Sequence, residues 1–288
     1  MTAPTQYPAP EQTRAAWDTI APAFDRNITP HTLLFGDRIL SRVRLDPGTR
    51  LLDVAAGSGA LALPAARRGA QVVAVDIAPA MVDRLARRAR AEGLTAVRAL
   101  VMDGEHLELD DNTFDVSVSL NGVSLFPDLR RGLAEMQRVT RPGGTVLVAA
   151  FAQPQKAEFI AWTAGALRAA VPGFVPLPTD PPPLPFQLAD PDRFTAKLRE
   201  AGLEDVAVRG EVLDMSFDSA AQLLDAVRSS HPIGAGWIAG LTGPQTAEVT
   251  QILDGMLRER SGGGQGAVLH TELNIGTGVV PSGRPGSR

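Results

Sequence analysis

Four carboxylates and two glycines stand where strands could hand a ligand to helices. In LLDVAAGSGALA, residues 51–62, an apolar run ends, Gly57 and Gly59 permit tight turning and close backbone approach, and a helical pattern begins. A helix N-terminus placed there favours an anionic or electron-rich ligand group. Taken alone the loop is ambiguous. Gly57, Gly59 and Ala62 also satisfy the G-x-G-x-x-A dinucleotide fingerprint, with Asp76 near the expected distance downstream. Asp53 separates the two readings. A carboxylate just before the loop repels a pyrophosphate but complements a ligand bearing an ammonium and a sulfonium. The plainer alternative is that Asp53 only accepts hydrogen bonds from loop amides.

Asp76 ends the next apolar run, VVAVDIAPAM, where a carboxylate can accept hydrogen bonds from both hydroxyls of a ribose. Such a residue faces the ligand, so folding is not expected to depend on it. Met81, on the helix that follows, can pack on an adenine face or simply fill core. In Asp103-Gly104-Glu105 a carboxylate could accept from an adenine amino group while the Gly104 amide donates to the ring; the alternative is a surface turn. Candidate bases are few. His231, in SSHPIGAGW, ranks first, then His31, with His106 beside the adenine loop and His270 in the last strand. A lone histidine is more often a capping or surface group than a base. Asn121 could orient an acceptor hydroxyl or carbonyl.

These residues need elements to hold them. Residues 50–54, 71–75, 95–101, 114–120 and 145–149 are short runs rich in Val and Leu, alternating with helical stretches near 60–68, 79–92 and 129–140. Strands that are apolar on both faces and alternate with helices predict a parallel sheet covered on both sides. Upstream, the spacing of Trp17, Ile20, Ala21 and Phe24 predicts a helix from Glu11 that Pro22 kinks or ends. A second helix is expected over 31–42. Downstream come helices at 157–171, 190–201, 219–227 and 245–258, strands at 206–212 and 266–275, and a Pro-rich loop over 172–185. Residues 1–10 and the tail 281–288 are expected to be disordered.

Composition narrows the chemistry. The 288 residues are 44% hydrophobic with a net charge of −4, which suits a globular core and lacks the basic excess of a nucleic-acid binder. Arg84, Arg87, Arg88 and Arg90 read as a solvated helix face. There is no cysteine, which excludes disulfides, thiolate metal sites and a cysteine nucleophile. No basic leader, no signal and no span of about 20 apolar residues is visible, so a cytoplasmic, membrane-free protein is expected. Asp180-Pro181-Pro182 imitates a base-methylating motif, but the place after the fourth strand reads Ser119-Leu120-Asn121-Gly122. No acid cluster stands where a catalytic magnesium would bind, so no metal is expected.

Taken in order, LLDVAAGSG, VVAVDIAPAM, VMDGEHL, FDVSVSLNGVSLFPD and LAEMQRVTRPGGTVLVAAF resemble the class I S-adenosylmethionine-dependent methyltransferases, in the group of ubiquinone/menaquinone C-methyltransferases. The resemblance spans about residues 15–279. It implies a Rossmann-like, doubly wound α/β fold with a seven-stranded sheet in the order 3-2-1-4-5-7-6, strand seven antiparallel. One domain over 1–280 would comprise a helical cap (1–45), a cofactor core (46–151) and lid or acceptor elements (152–190 and 215–262). Implied cofactor contacts are Asp53, Ala55, Gly57, Ser58, Gly59, Asp76, Ile77, Met81, Asp103, Gly104 and Asn121. Two departures matter. Ala55 replaces a common loop glycine and is expected to keep φ below zero; Ala78 stands where serine often caps the helix. Since the cap and lid lie over the strand ends in this fold, Trp17, Phe24, Phe126, Trp162 and Trp237 are expected to line an apolar acceptor pocket.

The expected function is methyl transfer from S-adenosylmethionine to a small organic, aromatic or otherwise apolar acceptor, with O-, N- and C-methylation left open. The expected partners are that acceptor and a second copy of the chain. The alternatives are a non-catalytic cofactor-binding scaffold and an NAD-dependent oxidoreductase.

Overall fold

The computed structural model describes residues 9–176 and 182–282. The expected tail falls mostly outside these, as do parts of the N-terminal stretch and of the Pro-rich loop. Five strands, β1 (Arg50–Val54), β2 (Gln71–Asp76), β3 (Val97–Val101), β4 (Phe114–Leu120) and β5 (Thr140–Phe151), run parallel. β6 (Glu204–Phe217) and β7 (Ala267–Val279) complete the sheet, with β7 antiparallel to both neighbours. The order is 3-2-1-4-5-7-6, as the resemblance implies.

Alternation along each strand feeds two apolar layers. Leu51, Val72, Val116 and Leu147 face one cluster, shared with Ile39, Leu85, Leu167, Leu223 and Leu253. These come from α2 (Thr29–Leu40), α4 (Pro79–Ala91), α6 (Glu158–Ala170), α8 (Ala220–Ser230) and α10 (Gly243–Arg260), with α3 (Ala62–Arg67) on the same side. Leu52, Val54, Val146 and Val148 face the other layer, with Leu133 and Met136 of α5 (Leu129–Val139) and Phe194 and Leu198 of α7 (Pro191–Glu200). Both faces of the central strands are therefore dry, which is why they read as continuous Val/Leu runs.

Three features differ from the sequence reading. α1 (Pro10–Asn27) continues through Pro22 rather than ending there. The proline removes one N–H, but Ala21 and Phe24 then seat against Met81 and Ala78, and that packing offsets the loss. β6 and β7 form a ribbon longer than expected, with β6 running on to Phe217 through the buried alternation of Leu213, Met215 and Phe217, while the charges Arg209, Glu211 and Asp214 obscure the apolar pattern in the sequence. An unforeseen helix, α9 (Pro232–Ala239), opens on His231-Pro232, a capping side chain followed by proline in the first turn.

Candidate active site

The strand order reverses between β1 and β4, and at their carboxyl ends lies a cavity of about 910 Å³. Its volume sits at the upper end of the ~300–1,000 Å³ usual for small-molecule sites, at the switch point where such folds bind ligands. Both strands leave the sheet through left-handed residues, Ala55 (φ 54°) and Asn121 (φ 51°). For Ala55 this overturns the expectation of an ordinary φ. The turn lets the Ala56 N–H reach the Val75 carbonyl (2.9 Å) and the Gly57 N–H reach Asp76 (2.8 Å), which repays a strain of about 1–2 kcal/mol. The bends abut: a Cβ on Gly122 would lie 2.5 Å from Ala55 Cβ and 3.1 Å from its carbonyl oxygen. Gly122→Ala is therefore expected to cost about 1–3 kcal/mol by overpacking, measurable by urea unfolding.

Asp76 Oδ2 accepts from the Gly57 N–H at 2.8 Å and Oδ1 from the Ala78 N–H at 2.9 Å. The residue is 9% exposed, and burial pushes its pKa up to about 6 against the pull of both amides. An ionised carboxylate offers about four lone-pair sites, so two remain beyond the two amides. Ala55, Gly57, Ser58, Ile77, Met81, Asp103, Gly104 and Asn121 line the same cavity. Gly57 faces open space, whereas a Cβ on Gly104 would strike the Phe126 ring at 2.4 Å. Ser58 is tied to Thr29 of α2 by a 2.6 Å hydroxyl pair. Met81 is buried and belongs both to the cavity wall and to the small core with Trp17 and Phe24.

Asp53 and Gly59 stand behind the lining. Asp53 is 1% exposed and its Oδ2 accepts from the Ala62 N–H at 2.9 Å, fastening the start of α3. Burial raises its pKa to about 8; the amide opposes this, and Asp76 adds to it. The amide-binding alternative thus describes the contact that Asp53 makes.

The rest of the cavity is largely apolar. Trp17, Phe24, Phe126 and Trp237 line it as expected. Trp162 does not: it packs beneath Arg260, whose guanidinium carbon lies 5.0 Å from its ring centroid. Sequence reasoning missed Phe151 at the end of β5 and Thr271 and Leu273 on β7. The β7 pair shows the i, i+2 alternation of one sheet face, a signal usable once that face is known to be covered.

His231 lines the cavity and sits edge-on to Trp17, 5.5 Å between centroids. Its Nδ1 accepts from the Ile233 N–H at 3.1 Å, so the neutral ring carries its proton on Nε2 and has no free lone pair to act as a base. Burial lowers its pKa to about 4, which keeps it neutral. The other histidines lie elsewhere: His31 against Phe217, His106 beside Arg131, and His270 beside Asp214. Asn121 Oδ1 is buried without a hydrogen-bond partner in the wall of the cavity. Among the described residues, no group of three or more His, Asp or Glu could hold a metal ion, and no helix is long and apolar enough to cross a membrane.

Comparison with known proteins agrees with this geometry. Residues 52–148 match the model of a methyltransferase domain family. The demethylmenaquinone methyltransferase of Renibacterium salmoninarum is 30% identical over 213 residues, 69% of this chain and 87% of the relative. The uncharacterized protein Rv1405c of Mycobacterium tuberculosis is 40% identical over 111 residues, so this chain spans 40% of that relative's length. Among solved structures, the [4+2]-cyclase SpnF superposes with a TM-score of 0.61 at 21% identity over 96% of this chain and 97% of that one. The Bacillus subtilis YcgJ protein gives 0.56 at 18% identity over 88% and 99%. The chain belongs to the class I S-adenosylmethionine-dependent methyltransferases, in the demethylmenaquinone-methyltransferase type of group.

The family's cofactor suits the residues present. An open Gly57, two unused lone-pair sites on Asp76, and an unpartnered Asn121 oxygen converge on one cavity.

Proposed function

We propose that this protein methylates a small, largely apolar acceptor that carries no anionic group. The observation that carries this reading is the charge of the cavity wall. No described lining residue is Lys or Arg, and the acids Asp76, Asp103 and Glu105 cluster at the cofactor end. A carboxylate or phosphate buried against Phe151, Phe159 and Trp237 would lose its hydration without a partner, at a cost of several kcal/mol.

In this reading Asp76 receives the ribose hydroxyls, Asp103 and Gly104 the adenine edge, and the Gly57–Ser58 backbone the amino-acid end. S-adenosylmethionine supplies a methyl group on a sulfonium, transferred by in-line displacement. The chain's contribution is alignment and exclusion of water. Asn121 Oδ1 accepts a hydrogen bond from the acceptor and fixes its approach. His231 Nε2–H can donate to the acceptor but takes no proton from it. The acceptor therefore attacks before it loses a proton, or ionises without help from a histidine.

The test is a panel of indoles, phenols, quinols and amines with labelled S-adenosylmethionine, each paired with its carboxylated analogue. Turnover is expected only among members without a carboxylate; preference for the carboxylated ones would contradict the reading. The fold is shared with a cyclase, so fold alone does not make the reaction. Cofactor binding without transfer to any member would favour a scaffold.

A further inference from the structure

Helix α4 begins without a cap of its own. Ala78 holds the cap position with extended backbone (φ −93°, ψ 111°) and has no side-chain acceptor. The oxygen comes from another helix: Asp18 of α1 accepts from the Ala80 N–H at 2.8 Å, across 62 residues of sequence. In the same turn the Ala78 N–H donates to Asp76. Residues 77–80 thus lie between a carboxylate on the floor of the cofactor half and one on the helix above it.

α1 covers that half, lining the cavity with Gln12, Thr13, Ala16 and Trp17. Its apolar seat there is small: Ala21, Ala78 and Met81 are buried, with Trp17, Phe24 and Ala80 around them. Phe24 also reaches the larger apolar cluster and Trp17 the His231 ring, and the other ties are polar. Asp25 pairs with Arg88 at 2.6 Å, and Asn27 Nδ2 donates to Ser229 Oγ at 2.9 Å. Ala21 is the one fully buried residue of α1, and a helix so shallowly seated describes a segment that opens below the global unfolding free energy.

We propose that Asp18 is a positioning residue, which caps α4 from α1 and thereby holds α1 closed over the cofactor. A serine at 78 would cap α4 whether α1 is open or closed. A cap delivered by Asp18 is made only in the closed state, so closure gains it and opening loses it, and whatever binds beneath α1 is favoured by the same linkage. This rests on the reading that the cofactor occupies the Asp76 half.

The experiment uses the full chain with Asp18→Ala, Asp18→Asn and Asp18→Ala/Ala78→Ser. It reads hydrogen exchange over 10–27 without ligand, affinity for S-adenosylhomocysteine by calorimetry, and thermal stability. Asp18→Ala is expected to speed exchange in α1 and weaken binding roughly 3- to 30-fold, the equivalent of a lost cap. Asp18→Asn keeps an acceptor oxygen and should hold both within about threefold of the parent. Adding Ala78→Ser should restore thermal stability while α1 still exchanges fast and binding stays weak. Unchanged α1 exchange in Asp18→Ala would overturn the proposal. So would recovery of both exchange and affinity with Ala78→Ser, since Asp18 would then be only a cap. If the parent itself fails to bind S-adenosylhomocysteine, the cofactor reading falls, and the ligand-free exchange still judges Asp18.

Discussion

Asp76→Ala is expected to weaken S-adenosylmethionine binding by roughly 1–3 kcal/mol, because charge-assisted hydrogen bonds to the ribose are lost. Calorimetry with the cofactor or its demethylated product reads this directly. The sequence suggests that folding would be indifferent, and the structure corrects that. Asp76 is nearly buried and satisfies the Gly57 and Ala78 amides, so alanine leaves two backbone donors without acceptors. A further loss of about 1–3 kcal/mol in unfolding free energy is expected. Asp76→Asn keeps an acceptor for one amide and should lose less stability than alanine. An unchanged dissociation constant in Asp76→Ala would mean that the ribose lies elsewhere.

The second large effect has the opposite sign. Asp53→Asn is expected to stabilise the ligand-free protein near pH 8 by ~1–3 kcal/mol and to do little near pH 5. The folded state holds a proton on Asp53 up to about pH 8, whereas the unfolded chain releases it near 3.8. Between those values the folded state binds more protons at this site, so the Asp53 contribution favours folding increasingly as pH falls from about 8 toward 4. Asp76 adds the same slope between 3.8 and about 6. Asparagine has no charge to desolvate and still offers an oxygen to the Ala62 N–H. Urea titrations of parent and Asp53→Asn at the two pH values test it: a difference between the two proteins that does not change with pH would show that Asp53 is not held protonated.

The sequence made the central sheet legible because β1, β2 and β4 are buried on both faces, and the full strand order followed from the resemblance. Positions of the cavity wall were readable where a strand ends, as at Asp76 and Asn121. What escaped depends on tertiary partners. Ala55 is left-handed because amides and Gly122 across the crevice dictate its turn, which no local propensity reveals. Trp162 and Trp237 are alike as aromatics in later helices; only packing sends one beneath Arg260 and the other into the cavity. His231 was singled out for its chemistry, yet its Nδ1 serves α9 as a cap. The cap missing at Ala78 was visible as an absence, and its replacement by Asp18 required the fold.

The central claim is that one cavity holds the cofactor on Asp76 and presents its sulfur to an uncharged, aromatic-walled space beside Asn121. A crystal structure with S-adenosylhomocysteine bound tests this most directly. The expected structure has ribose hydroxyls on Asp76, adenine beside Asp103 and Gly104, and the thioether sulfur facing Asn121 and Phe151. A ligand whose ribose avoids Asp76, or whose sulfur points away from the aromatic half, would contradict it.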